Sequence, residues 1–95
     1  MASPLSDAQI QQKLATLTGW TLANGRITRR FHLPSFPAAI VFVGAVAQLA
    51  EAADHHPDIV IRWRDVELSL TTHDSGGVTD KDFALASQIN ALPQK

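Results

Sequence analysis

The spacing of apolar residues along this chain changes period several times, and each change marks an element. Ile10, Leu14 and Leu17 recur at the three-to-four-residue interval that lines one helical face, until Gly19 ends the run. Just upstream, the Ser6 hydroxyl can accept from the orphan N–H groups of a first turn, Gln9 can reach back, and Leu5 faces Ile10 as a staple. The pattern predicts a helix over 6–18. Trp20–Ala23 and Arg26–Leu33 then flank Asn24-Gly25, the dipeptide that accepts positive φ at both central positions of a tight turn. That predicts a hairpin with Ile27, Arg29 and Phe31 on one face. Pro34 and Ser35 open the next element, with Ser35 as N-cap and Pro37 in the first turn, where its missing N–H costs little. A second helix is predicted over 36–53, ending ahead of Pro57, whose ring pushes the preceding residue out of the helical region. It is apolar nearly all round through Val46, which predicts burial against a sheet on one side and a face for a neighbouring subunit on another.

Period two returns at Ile59, Ile61 and Trp63, and again at Val66, Leu68, Leu70 and Thr72, with the turn within 62–66. In this second hairpin Glu67, Ser69, Thr71 and His73 point away from the apolar set, and His73 closes the strand. Asp74-Ser75-Gly76-Gly77 reads as a loop. Thr79 with Asp82 three residues on reads as a capping box ahead of Phe83, Leu85, Ala86, Ile89 and Leu92, predicting a last helix over 79–91. The order helix, two strands, helix, two strands, helix predicts an α+β fold: a two-layer sandwich of a four-stranded antiparallel sheet with helices on one face. No repeat, low-complexity tract or linker divides 1–95, so a single domain is expected.

Composition narrows the classes of function. With 95 residues, 45% of them hydrophobic, the chain buries only about 60–65% of the surface of its unfolded state, so association between copies would add needed stability. Eight Lys+Arg against nine Asp+Glu leave a net charge of −1, without the positive field that supplies affinity for phosphate backbones; direct nucleic-acid binding is not expected. The absence of cysteine excludes a disulfide framework, a thiolate nucleophile and every cysteine-ligated metal site, and fits an intracellular address. Met1–Asp7 lacks the cationic and apolar regions of a signal peptide. The longest unbroken apolar run, Ala38–Ala47, is ten residues, about half of a membrane-crossing helix, so no membrane span is expected.

The candidate chemistry gathers in three of the four histidines. His55 and His56 follow the second helix and His73 ends the last strand, positions at element ends where chain segments converge. Glu51 lies one helical turn before Asp54 and His55, so its carboxylate can face the same site. Adjacent side chains on regular structure point apart; His55 and His56 share a pocket only if the turn forced by Pro57 bends the chain there. The bland alternatives remain open. A histidine after a helix serves equally as a charge at the negative dipole end. His32, in a strand, reads as structural. Three histidines with Glu51 could ligate zinc or iron, but adjacent His-His is an awkward chelating spacing. Trp20 and Trp63 read as core aromatics or as walls for a flat ligand. Asp82 has a sufficient role in its capping box, and Arg62 and Glu67 read as solvated. No Gly-rich phosphate loop, Walker pattern or nucleophile elbow is present, so nucleotide hydrolysis and serine-hydrolase chemistry lack support.

The spacing Glu51, three residues, His55-His56-Pro57, five residues, Trp63, nine residues, His73, eight residues, Asp82 resembles the signature of the pterin-4a-carbinolamine dehydratases. The resemblance covers most of the chain, from the first helix and Gly19-Trp20 through the last helix. It implies a two-layer α+β domain forming homodimers or homotetramers. The implied reaction converts 4a-hydroxytetrahydropterin to quinonoid dihydropterin in the cytoplasm, recycling the pterin spent by aromatic amino acid hydroxylases, without metal or organic cofactor. By position it implies His55 and His73 as acid–base residues and His56 as substrate-orienting. Asp54 and Thr71, Thr72, His73 and Asp74 become pterin contacts, with Glu51, Trp20 and Asp82 as site neighbours. Trp63 stands where other members often have another aromatic. The same family includes dimerisation cofactors for transcription factors, and some relatives are assembly factors without activity, so a dimerisation cofactor, regulator or assembly factor that uses the fold for protein contacts is the implied alternative.

Overall fold

A computed structural model describes residues 3–94; Met1, Ala2 and Lys95, included in the expected single domain, lie outside the described residues. Helix α1 spans Asp7–Leu14 and is closed by the capping box, with the Gln9 N–H donating to Ser6 Oγ and the Ser6 N–H to Gln9 Oε1. It stops four residues short of the predicted end, because Thr16 and Leu17 switch to bonds from N–H to the carbonyl three residues back. Leu17 is still buried at the foot of this tightened turn, and Gly19 then reverses the chain at φ +87. Strands β1 (Thr21–Ala23) and β2 (Arg26–His32) meet at Asn24 and Gly25, both at positive φ, as an Asn-Gly turn requires. Helix α2 occupies Phe36–Ala53, with the Ser35 hydroxyl accepting from the Ala38 N–H. Strands β3 (Asp58–Arg62) and β4 (Asp65–Leu70), a 3-10 turn at His73–Ser75 and helix α3 (Asp80–Asn90) complete the order.

The four strands form one antiparallel sheet in the order β1-β2-β4-β3, which leaves β3 at an edge. Register pairs Ile27 with Leu70, Arg29 with Leu68 and Phe31 with Val66, so these side chains share a face. Onto it α2 buries Ala39, Phe42, Val46 and Ala50, α3 buries Leu85, Ala86 and Ile89, and α1 contributes Ile10; all belong to one core. The other face carries polar cross-strand pairs: Arg26 with Asp58, Arg30 with Glu67, Thr28 with Ser69, and His32 with Asp65. The hydrogen bond from His32 holds the Asp65 carboxyl below its usual range. The α+β sandwich with helices on one face is thus the observed fold.

Three local readings are corrected. Trp63 does not continue the alternation of β3; it enters the two-residue turn to β4 at φ 56 and is 68% exposed, with the Arg64 guanidinium over its ring. His73 does not close β4. The strand ends at Leu70 because Thr72 leaves it to bridge with Gly77, and His73 starts the 3-10 turn. Helix α2, 18 residues long with mean hydropathy 1.7, is long and apolar enough by length and composition to cross a membrane, which the ten-residue run understated. Its buried stripe at Ala39, Phe42, Val46 and Ala50 lies against the sheet, as in the core helix of a two-layer fold.

Candidate active site

The site begins where α2 stops. Asp54 adopts the left-handed conformation (φ 49, ψ 44), and the N–H groups of Asp54 and His55 turn back onto the carbonyls of Ala50 and Glu51. This C-terminal cap, followed by Pro57, breaks the helical direction and sends two adjacent imidazoles to different partners. His55 turns inward, its side chain 12% exposed, and its Nε2 lies 2.5 Å from Oδ1 of Asp82. His56 stays at the surface, where its Nε2 lies 2.9 Å from Glu51 Oε1.

Asp82 is fully buried in the first turn of α3. Its second oxygen, Oδ2, accepts from the Thr79 N–H at 2.9 Å and from the Thr72 hydroxyl at 2.8 Å. The Thr72 and Thr79 hydroxyls meet at 2.7 Å. The end of α2, the segment after β4 and the start of α3 are therefore tied together through one carboxylate. A buried ionisable group without partners would cost several kcal/mol, roughly, which is why the hydrogen bonds around Asp82 are saturated.

Against this network lies a cavity of about 290 Å³ lined by Asp54, His55, His56, Thr71, Thr72, His73, Asp74 and Lys81. The structure thus brings together every residue that the sequence singled out for the site from 54–56 and 71–74. Lys81 was missed, since its neighbours Thr79 and Asp82 read only as a helix cap; a cation in the first turn of a helix, against the dipole, was the available signal. Glu51 does not line the cavity; it stands behind His56. The carboxylate on His55 comes from α3 and not, as the helical spacing suggested, from Glu51. Trp20 lies elsewhere: it is buried in the core, edge-on to Phe31, with its indole N–H donating to Asn90 at the far end of α3, about 12 Å along the helix from Asp82. Among the described residues, no group of three His, Asp or Glu side chains is arranged to hold a metal ion.

A family profile described as pterin 4 alpha carbinolamine dehydratase matches residues 3–92. The chain belongs to that family. Among its relatives is a protein of Roseiflexus sp. (strain RS-1) named "Putative pterin-4-alpha-carbinolamine dehydratase", 63% identical over 92 residues that cover 97% of this chain and 99% of that one. A Picosynechococcus sp. protein of the same name is 47% identical over 97% of this chain and all of its own length. A crystal structure described as a transcriptional coactivator/pterin dehydratase from Brucella melitensis superposes with a TM-score of 0.90 at 33% identity, covering 94% of this chain and 97% of that one. A pterin dehydratase-like RuBisCO assembly factor of the alpha-carboxysome, at 24% identity and a TM-score of 0.65, shares the fold over 77% of this chain and 87% of that one.

Proposed function

We propose that this dehydratase-family protein converts 4a-hydroxytetrahydropterin to quinonoid dihydropterin and water, with His55 and His73 as the acid–base pair and His56 orienting the ring. The observation that carries this reading is a cavity of about 290 Å³ in which three imidazoles meet Asp54, Thr71, Thr72 and Asp74, a volume suited to one bicyclic heterocycle. Hydroxide leaves a saturated carbon poorly unless its oxygen is protonated as it departs. The adjacent ring nitrogen supplies the electrons and gives up its own proton. One acid and one base therefore suffice, and imidazole, titrating near neutrality, can serve as either. Asp54, Thr71, Thr72 and Asp74 offer polar contacts to the edges of the ring, while Glu51 and Asp82 hold His56 and His55 from behind.

In this reading the protein works in the cytoplasm as a homodimer or homotetramer. It uses neither metal nor organic cofactor and returns the pterin consumed by an aromatic amino acid hydroxylase. A second reading, contact with another protein, draws on the exposed apolar residues Ile59, Val60, Ile61 and Trp63 and on the coactivator description of the Brucella relative. A stopped-flow assay of carbinolamine loss, with and without the protein and after chelator treatment, separates them. Acceleration that survives chelation is the expected result. No acceleration would overturn the enzymatic reading in favour of protein contact, and loss on chelation would replace the imidazole mechanism with a metal.

A further inference from the structure

The hydrogens around Asp82 can be placed one by one. The Thr79 N–H can only donate, and Oδ2 of Asp82 receives it at 2.9 Å. Thr72 Oγ1 lies 2.8 Å from the same oxygen, so its single proton goes there. Thr79, whose hydroxyl meets Thr72 Oγ1 at 2.7 Å, must then be the donor in that pair. With both other donors taken on Oδ2, the remaining oxygen, Oδ1, faces Nε2 of His55 at 2.5 Å. Asp82 from α3 meets the His55 ring directly, and the titratable groups that share its cavity are Lys81 from α3, Asp54 and His56 from the end of α2, and His73 and Asp74 from the 3-10 turn. Of these, Asp82 is the only one hydrogen-bonded to the ring among the described residues.

We infer that Asp82 is a positioning residue that keeps the proton of neutral His55 on Nε2, so that Nδ1 presents a lone pair to the cavity and His55 is the base of the dehydration. The tautomer follows from the hydrogen-bond network with Asp82 as the carboxylate; the role as base rests on the dehydratase reading. In the balanced step, the proton on the substrate nitrogen N5 moves to His55 Nδ1 and the freed electron pair forms the N5=C4a double bond. The C4a–O bond breaks, and the departing oxygen takes a proton from His73 to leave as water. The new imidazolium donates from Nε2 to a carboxylate already in place. His73, exposed at the start of the 3-10 turn and without a hydrogen-bonded side-chain partner among the described residues, can exchange the compensating proton with solvent.

The test is the imidazole nitrogen-15 spectrum of the whole chain, taken with the imidazoles in their neutral form. The expected spectrum has a protonated Nε2 and a bare Nδ1; the reverse in the wild type overturns the inference without any variant. Asp82→Asn sharpens it. The Thr79 N–H and Thr72 hydroxyl will hold the amide oxygen where Oδ2 was, so the amide NH₂ must face His55 and drive the ring proton onto Nδ1. The variant should show the swapped nitrogen pattern together with a kcat lower by about 10²–10⁴ and a KM little changed. Wild-type kcat in a variant whose tautomer has swapped, or lost kcat with the tautomer unswapped, overturns the positioning role. A wild-type protein inactive on the carbinolamine yet carrying the Nε2 proton would instead refute the dehydratase reading, and with it the role as base.

Discussion

Two histidines adjacent in sequence meet opposite fates because one left-handed residue ends the helix ahead of them. The left-handed Asp54 turns His55 under the start of α3, where a buried carboxylate takes it, and leaves His56 at the surface against Glu51. His73 arrives from 18 positions downstream of His55 and is exposed, its ring without a hydrogen-bonded side-chain partner among the described residues. These environments imply different costs of removal. If His55 and His73 carry the proton transfers, His55→Ala or His73→Ala alone should lower kcat by about 10²–10⁴, and the double variant should retain little beyond the uncatalysed rate. If His56 orients the ring, His56→Ala should raise KM more than it lowers kcat, since such a contact is made in ground and transition states alike. Steady-state kinetics on the four variants check this, and wild-type turnover in both single acid–base variants would remove the assignment. The clustering of 54–56 with 71–74 could be anticipated from a signature of residue types. The His55–Asp82 pair, 27 positions apart, could not: Asp82 satisfies a complete local rule as a helix cap through Oδ2, and only the packed fold shows that Oδ1 has another partner.

Elements that obey short-range rules were readable, and those set by neighbours were not. Two capping boxes, the Asn24-Gly25 turn and the span of α2 each depend on two to four adjacent residues and appear as the sequence predicts. Trp63 and His73 fit the alternation of their strands, yet the strands end early, because the β3–β4 turn claims Trp63 and the Thr72–Gly77 bridge diverts the chain before His73. Trp20, expected near the ligand, is held in the core by a cluster at the end of α1. There the Arg29 guanidinium donates to the Thr18 carbonyl at 3.0 Å and to Asn90 at 2.7 Å, beneath Gly19, and burial lowers its pKa. A Cβ on Gly19 would lie 2.5 Å from Arg29 Nε at φ +87, so it would strain the backbone and push the Arg29 side chain away from its partners. Gly19→Ala should therefore cost about 1–3 kcal/mol in urea unfolding, separating the α1–β1 corner from α3. An unchanged midpoint would mean that the corner relaxes without cost. Because the cluster sits at the opposite end of α3 from Asp82, kcat at permissive temperature should remain that of the wild type.

At the scale of the whole molecule, what is left uncovered matters most. A chain of 95 residues has little core to spare, yet β3 exposes Ile59, Val60 and Ile61 at a sheet edge, and α2 exposes Phe36, Ile40 and Val41. An edge strand with a free row of N–H and C=O groups and no charge between Asp58 and Arg62 lacks the usual guards against pairing, and an antiparallel strand can pair with its own copy about a two-fold axis. Since β3 begins two residues after His56, such pairing would also brace the loop that carries two of the three imidazoles. For the homo-oligomer we propose, sedimentation should give a mass that is a multiple of 10.3 kDa, and the melting temperature should rise with protein concentration. Replacing Ile59 and Ile61 together by Lys places like charges face to face across that axis, and should yield a monomer with a concentration-independent and lower melting temperature. A wild-type protein that sediments at 10.3 kDa at all concentrations would mean that the exposed edge is tolerated in the single chain, and the oligomer would have to be abandoned.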